Sequence, residues 1–197
     1  MLLIRLMNAV IALGSFYCLI SDGSKDGVWS LRTVLFRLRF FTRLSNLMSG
    51  TAALLVLLML RANGLPYWVW LIKFVGTASV TVTFLTVIFF LGPTQGYRNL
   101  LSGTGFFEHA AGPLLAILSF CFLERFQNLP FRTALLSIVP VLLYGILYGY
   151  KVLLAPEEKR WDDFYGFIRG GNWILPAVGM LLACFAVGQL IRLLYIL

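Results

Sequence analysis

Hydrophobic residues run along this chain in long blocks broken by short polar interruptions. Six blocks, at about 2–20, 41–61, 67–91, 106–124, 132–153 and 173–194, come close to the roughly 20 residues an α-helix needs to cross a hydrocarbon core. Backbone amides in lipid must bond within their own segment, so each block reads as a helix. The pattern predicts an all-α polytopic membrane protein, six transmembrane helices in one bundle, forming a single integral membrane domain over 1–197. The interruptions are short except for Leu154 to Asn172, which carries Glu157, Glu158, Lys159, Arg160, Asp162 and Asp163. There is neither an internal repeat nor a low-complexity tail.

Two stretches depart from plain apolar blocks. Trp29 to Phe41 alternates bulky apolar residues with Arg32, Arg37 and Arg39. It fits an amphipathic helix in the membrane interface that turns into the second span, or a straight, over-long, tilted helix. In the third block Ser79, Thr83 and Thr86 follow i, i+4, i+7 and share a face near Gly76, a pattern suited to close helix packing. Pro113, Pro140 and Pro176 fall in or near the starts of spans. Each removes an amide and leaves the carbonyl four residues back unpaired, that of His109 for Pro113 and that of Asn172 for Pro176.

Composition agrees with the pattern. Sixty per cent of the 197 residues are hydrophobic, 12% are charged, and the mean hydropathy is +0.88, too apolar for a soluble domain. A net charge of +8 in a soluble protein would suggest nucleic acid. Here the basic residues stand at block ends, where they anchor to headgroups and set orientation, and nucleic acid is excluded as a partner. The first block resembles a signal peptide, because Arg5 precedes an apolar run. No small-x-small cleavage pattern follows before Ser21-Asp22-Gly23, so it reads as a retained span. Six spans put both termini on one side. Ten basic residues then fall on the side of the odd-numbered loops: Lys25, Arg32, Arg37, Arg39, Arg43, Arg98, Lys151, Lys159, Arg160 and Arg169. Six fall on the terminal side: Arg5, Arg61, Lys73, Arg125, Arg132 and Arg192. The excess orients the odd loops to the cytoplasm.

Candidate chemistry centres on His109, the one histidine of the chain. An ionisable residue at membrane depth is a functional candidate by default. The fourth span begins on the odd-loop side, as does the second, which opens with Thr42, Ser45 and Asn46 and carries Arg39 and Arg43 beside that face. The fifth span ends there with Tyr144, Tyr148 and Tyr150, and the sixth begins there with Asn172 and Trp173. Hydroxyls, amides and one imidazole therefore collect at one depth in one leaflet. A hydroxyl beside an imidazole is the minimum for nucleophilic acyl transfer, and Asn46, Asn172 or a tyrosine supplies an oxyanion donor. From spacing alone, a span threonine most often serves packing, and a lone interfacial histidine is often a headgroup contact. Glu108 reads as a charge favouring the positive helix N-terminus. One histidine, scattered carboxylates and three unspaced cysteines, Cys18, Cys121 and Cys184, form no metal set, and no cofactor is expected.

Two motifs add a resemblance. Phe40-Phe41-Thr42-Arg43-Leu44-Ser45-Asn46 and Glu108-His109-Ala110-Ala111-Gly112-Pro113-Leu114-Leu115-Ala116 resemble the threonine and histidine motifs of the androgen-induced protein family, which includes the androgen-dependent tissue-factor-pathway-inhibitor-regulating protein and bacterial six-span relatives. Pro140 with Tyr144 and Tyr148, and more loosely Asp163 to Ile168, resemble that family's later segments. The resemblance implies an intramembrane hydrolase of lipid esters, such as fatty acid esters of hydroxy fatty acids, with Thr42 as nucleophile and His109 as base. It implies membrane lipids and a lipid ester or fatty acid as partners, and a bacterial cytoplasmic (inner) membrane as location. Asn46, Ser45, Arg39, Arg43, Tyr144, Tyr148 and Asn172 are the accompanying oxyanion or substrate-binding candidates. The alternative is a non-catalytic six-span protein that binds a lipid or a partner. A transporter is disfavoured by the lack of inverted repeats, broken-helix pairs and a midplane acid.

Overall fold

A computed structural model describes residues 1–21, 23–25, 28–168 and 171–197. Asp22, the side chain of Lys25 and Arg169, all used above, lie outside the described residues. Within them, six helices are long and apolar enough to cross a membrane: Leu2–Ser21, Phe41–Met59, Tyr67–Gln95, Thr104–Leu123, Phe131–Leu154 and Ile174–Ile196 (spans 1 to 6). The protein is an all-α polytopic bundle. Spans 1 to 4 pack on one another, span 6 packs on spans 3 and 4, and span 5 packs on spans 3 and 6.

Small residues set the closest approaches. A Cβ on Gly76 would stand 3.2 Å from the Ser49 Cα, so spans 2 and 3 touch almost backbone to backbone. Farther along the same face, the Ser45 and Thr83 hydroxyls share a 2.8 Å hydrogen bond. The small polar residues of span 3 are therefore packing residues, with Gly76, Ser79 and Thr83 buried. An aromatic core of Trp70, Phe74, Phe120 and Tyr195 fills the terminal-side half, with ring centroids 5.1–5.9 Å apart.

Beside that core lies a polar network. Lys73 Nζ donates to Asn8 Oδ1 at 2.7 Å and lies 3.7 Å from Glu124 Oε1. Asn8 Nδ2 donates to the same Glu124 oxygen at 2.7 Å, and the Ser119 hydroxyl donates to it as well. All four side chains have 0% exposure. Lys73 is thus no headgroup anchor, as its place near a span end had suggested. The carboxylate of Glu124, on the far side of the bundle in sequence, draws it inward.

Between spans 1 and 2 the strands Ser24–Lys25 and Val28–Trp29 pair antiparallel. A separate helix, Leu31–Arg37, follows. The chain then turns, with Arg39 N–H to Phe36 O and Phe40 N–H to Arg37 O, before span 2 begins. Of the two readings of this stretch, the short surface helix is the one formed. Its Leu31, Leu35 and Phe36 are exposed while Val34 packs inward.

Several helices contain wide turns. Val87–Leu91, Phe107–Ala111 and Tyr150–Leu154 are π-helical, and each ends two residues before a proline: Pro93, Pro113 and Pro156. Proline has no amide and its ring presses on the carbonyl four residues back. In each case the residue before it bonds five residues back, Gly92 to Val87 O, Gly112 to Phe107 O and Ala155 to Tyr150 O. The expected opening at His109 is therefore a π turn. No such opening occurs at Asn172, because span 6 begins after it.

Candidate active site

At the odd-loop end, spans 2 and 4 meet around a cavity of about 300 Å³. Span 2 and its lead-in supply Phe40, Thr42 and Arg43. The end of span 3 and the following loop supply Leu91, Gln95 and Leu100, and the π turn of span 4 supplies His109. Phe164 and Tyr165, from the loop between spans 5 and 6, close the wall. The two residues singled out by their motifs thus line one cavity although 67 positions separate them (109 − 42).

The imidazole is half-buried and its Nδ1 lies 2.6 Å from the Leu100 carbonyl oxygen. A carbonyl only accepts, so Nδ1 carries a proton, and in the neutral form of the ring, the form a base requires, the lone pair is on Nε2. The loop before span 4 thus holds one edge of the ring. Thr42 sits in the first turn of span 2, where its carbonyl accepts from Ser45 Oγ at 3.0 Å and from Asn46 Nδ2 at 2.9 Å. Among the described residues the Thr42 hydroxyl makes no hydrogen bond, so the direct link to the imidazole that acyl transfer needs is not formed.

The other candidates divide. Asn46 is buried and its second amide hydrogen goes to the Glu108 carbonyl at 3.1 Å. With both N–H groups committed, Asn46 fastens span 2 to span 4 behind the cavity and has no donor left for an oxyanion. Ser45 is buried against Thr83, away from the lining. Tyr144 donates to the Arg39 carbonyl at 2.6 Å and Tyr148 to Asp163 Oδ1 at 2.8 Å. Both tyrosines support the wall from behind and do not line the cavity. Asn172 is exposed and accepts from the Ile174 N–H at 3.2 Å, a cap for span 6 with no part in the site.

Arg43 lines the cavity and forms an ion pair with Glu108, which is 1% exposed. Glu108 is therefore an interior counter-ion, and the helix-terminus role read for it does not hold. Its partner comes from another span, which one-dimensional spacing does not show. Arg39 stands behind Phe40 and Phe164, its guanidinium carbon 4.9 and 5.5 Å from their ring centroids.

Sequence reading missed Tyr165 and Phe164 as wall residues. Their signal was the aromatic density of Trp161, Phe164, Tyr165 and Phe167 in a polar loop. Asp163 organises that loop: its carboxylate accepts from Tyr148 and from the Phe167 and Ile168 N–H groups at 2.8–3.0 Å. Burial acts to raise its pKa, but these hydrogen bonds outweigh it and hold the carboxyl below its ordinary value. The Tyr165 hydroxyl accepts the Phe41 N–H at 2.9 Å, and burial raises its pKa above the ordinary phenol value. No group of three or more His, Cys, Asp or Glu side chains gathers among the described residues. No known protein family, curated protein or solved structure matches this chain.

Proposed function

We propose that this protein hydrolyses lipid esters inside the membrane, with Thr42 as nucleophile and His109 as general base. The observation that carries the reading is that both side chains line one cavity while the Leu100 carbonyl fixes the imidazole with Nε2 unprotonated. Thr42 Oγ1 attacks the ester carbonyl as its proton passes to Nε2. The tetrahedral intermediate collapses, the C–O bond to the alcohol breaks, and Nε2 returns the proton to the leaving oxygen. Water, activated by the same nitrogen, then hydrolyses the acyl-threonine. The family resemblance of the two motifs points the same way and suggests fatty acid esters of hydroxy fatty acids as substrates. The protein would act in a bacterial cytoplasmic membrane with its odd loops, and hence the cavity mouth, toward the cytoplasm.

One observation favours a second reading. The Thr42 hydroxyl has no hydrogen bond among the described residues, as in a pocket that binds lipid without chemistry. Catalytic hydrogen bonds often tighten only with substrate present, so the esterase reading remains the one supported best. Labelling of the purified protein with a lipophilic fluorophosphonate separates the two. The esterase reading expects an adduct on the parent, and losses of about 10²–10⁴ in rate for Thr42→Ala and His109→Ala at unchanged melting temperature. Equal labelling of all three proteins, or none in the parent alongside a co-purifying lipid, overturns it.

A further inference from the structure

The segment before span 2 carries a row of residues that the cavity does not use. Arg32, Phe36 and Arg39 recur at i, i+4, i+7, so they follow one line along the short helix and the turn after it. Arg32 is exposed. Phe36 is 57% exposed, and the Arg39 guanidinium carbon lies 4.0 Å from its ring centroid. With Phe40 and Phe164, three aromatic rings flank this one cation. Its Nε is shielded from solvent and has no hydrogen-bond partner. Among the described residues neither Arg32 nor Arg39 forms an ion pair. Two carboxylates of the site are committed elsewhere, Glu108 to Arg43 and Asp163 to Tyr148 and two backbone amides.

Depth selects the occupant. Span 2 starts at Phe41, so Arg39 stands two residues before the span, on the side from which lipid phosphates approach it. Leu31, Leu35 and Phe36 are exposed on the same short helix and suit the acyl boundary below that layer. With Nε shielded, the guanidinium presents its two Nη groups, which can take a phosphate through two parallel bonds. We propose that Arg39 and Arg32 form a docking site for the phosphate of an anionic phospholipid, held against the outer side of the Phe40 and Phe164 wall. A lipid bound there stands next to the cavity without entering it. The site needs neither Thr42 nor His109, so it stands or falls apart from the esterase reading.

The full-length protein in detergent, titrated with phosphatidylglycerol or with phosphatidylcholine of the same acyl chains and read by native mass spectrometry, tests this. Phosphatidylglycerol is expected to be retained and phosphatidylcholine lost. Arg39→Gln and Arg32→Gln should each weaken retention about fivefold, as for one basic residue at an anionic surface. Arg98→Gln, an exposed arginine of the third loop, should leave it unchanged. Arg39→Lys, which keeps the charge but loses the fork, should fall between parent and Arg39→Gln. Equal retention of both lipids, an Arg98→Gln loss equal to that of Arg39→Gln, or displacement of the phospholipid by an equimolar fatty acid overturns the proposal.

Discussion

The two ends of this bundle each bury charge, and they do so differently. At the terminal end Asn8, Lys73, Ser119 and Glu124 have 0% exposure, and three of their groups converge on one carboxylate oxygen. At the odd-loop end Glu108 is as deeply buried, but its partner Arg43 keeps a side-chain exposure of 18% and borders a cavity of about 300 Å³. Burial of an ionisable residue in a membrane protein is thus only half of a functional argument. The other half is a path by which a molecule reaches it, and among the described residues the odd-loop end has a cavity beside His109.

The comparison can be broken most directly at the closed end. Glu124→Gln or Lys73→Met leaves one uncompensated charge in an interior without solvent, at a cost of about 3–5 kcal/mol, whereas the double variant removes both charges and should recover most of it. Unfolding of the detergent-solubilised variants measures this. A single variant as stable as the parent removes the contrast. A smaller effect is expected at the open end. In Glu108→Gln the Arg43 guanidinium loses the span 4 carboxylate but retains access to water, so the cost should be about 1–3 kcal/mol. The variant should also change binding of charged lipids, since removing the Glu108 charge makes the lining of the cavity more positive. Identical stability losses in Glu108→Gln and Glu124→Gln would show that access makes no difference.

The smallest effect concerns the loop that walls the cavity. The Asp163 carboxyl is held below its ordinary value of about 3.9, so the stabilisation it lends is complete above that value. It is lost as pH falls through the lowered native value. Between pH 7 and 5 the loop should stay closed. Below about pH 4 it should loosen, read as protease cleavage between Glu157 and Ile168, and Asp163→Asn should abolish that pH step. Cleavage already rising between pH 7 and 5 would contradict this assignment.

Much of the architecture was legible because apolar block length is a direct measure of hydrocarbon thickness. The predicted spans and the observed ones differ by a few residues at their ends, as at 67–91 against Tyr67–Gln95. Counting spans placed Thr42 and His109 in one leaflet among several hydroxyls and amides, and the motif resemblance singled out the pair. What stayed hidden depends on contacts between distant segments. Lys73 reads as a surface anchor until Asn8 and Glu124 are beside it. Glu108 reads as a helix-end charge until Arg43 is. Asn46 and Tyr144 carry groups suited to a reacting centre, yet backbone carbonyls claim those groups. No linear pattern announces which carbonyl a side chain will meet.

The wide turns of span 4 have one more consequence. Glu108, Gly112, Ala116 and Phe120 are all buried and recur every four residues. In a straight α-helix such a repeat rotates by roughly 40° at each step, about 120° from first to last, and would carry Phe120 toward lipid. The π turns at either end are underwound and turn the row back. A strict four-residue rhythm in an apolar span is therefore a trace of unwinding that can be read without coordinates. In span 4 the unwound turns stand at both ends, beside the His109 imidazole at one and the Glu124 carboxylate at the other.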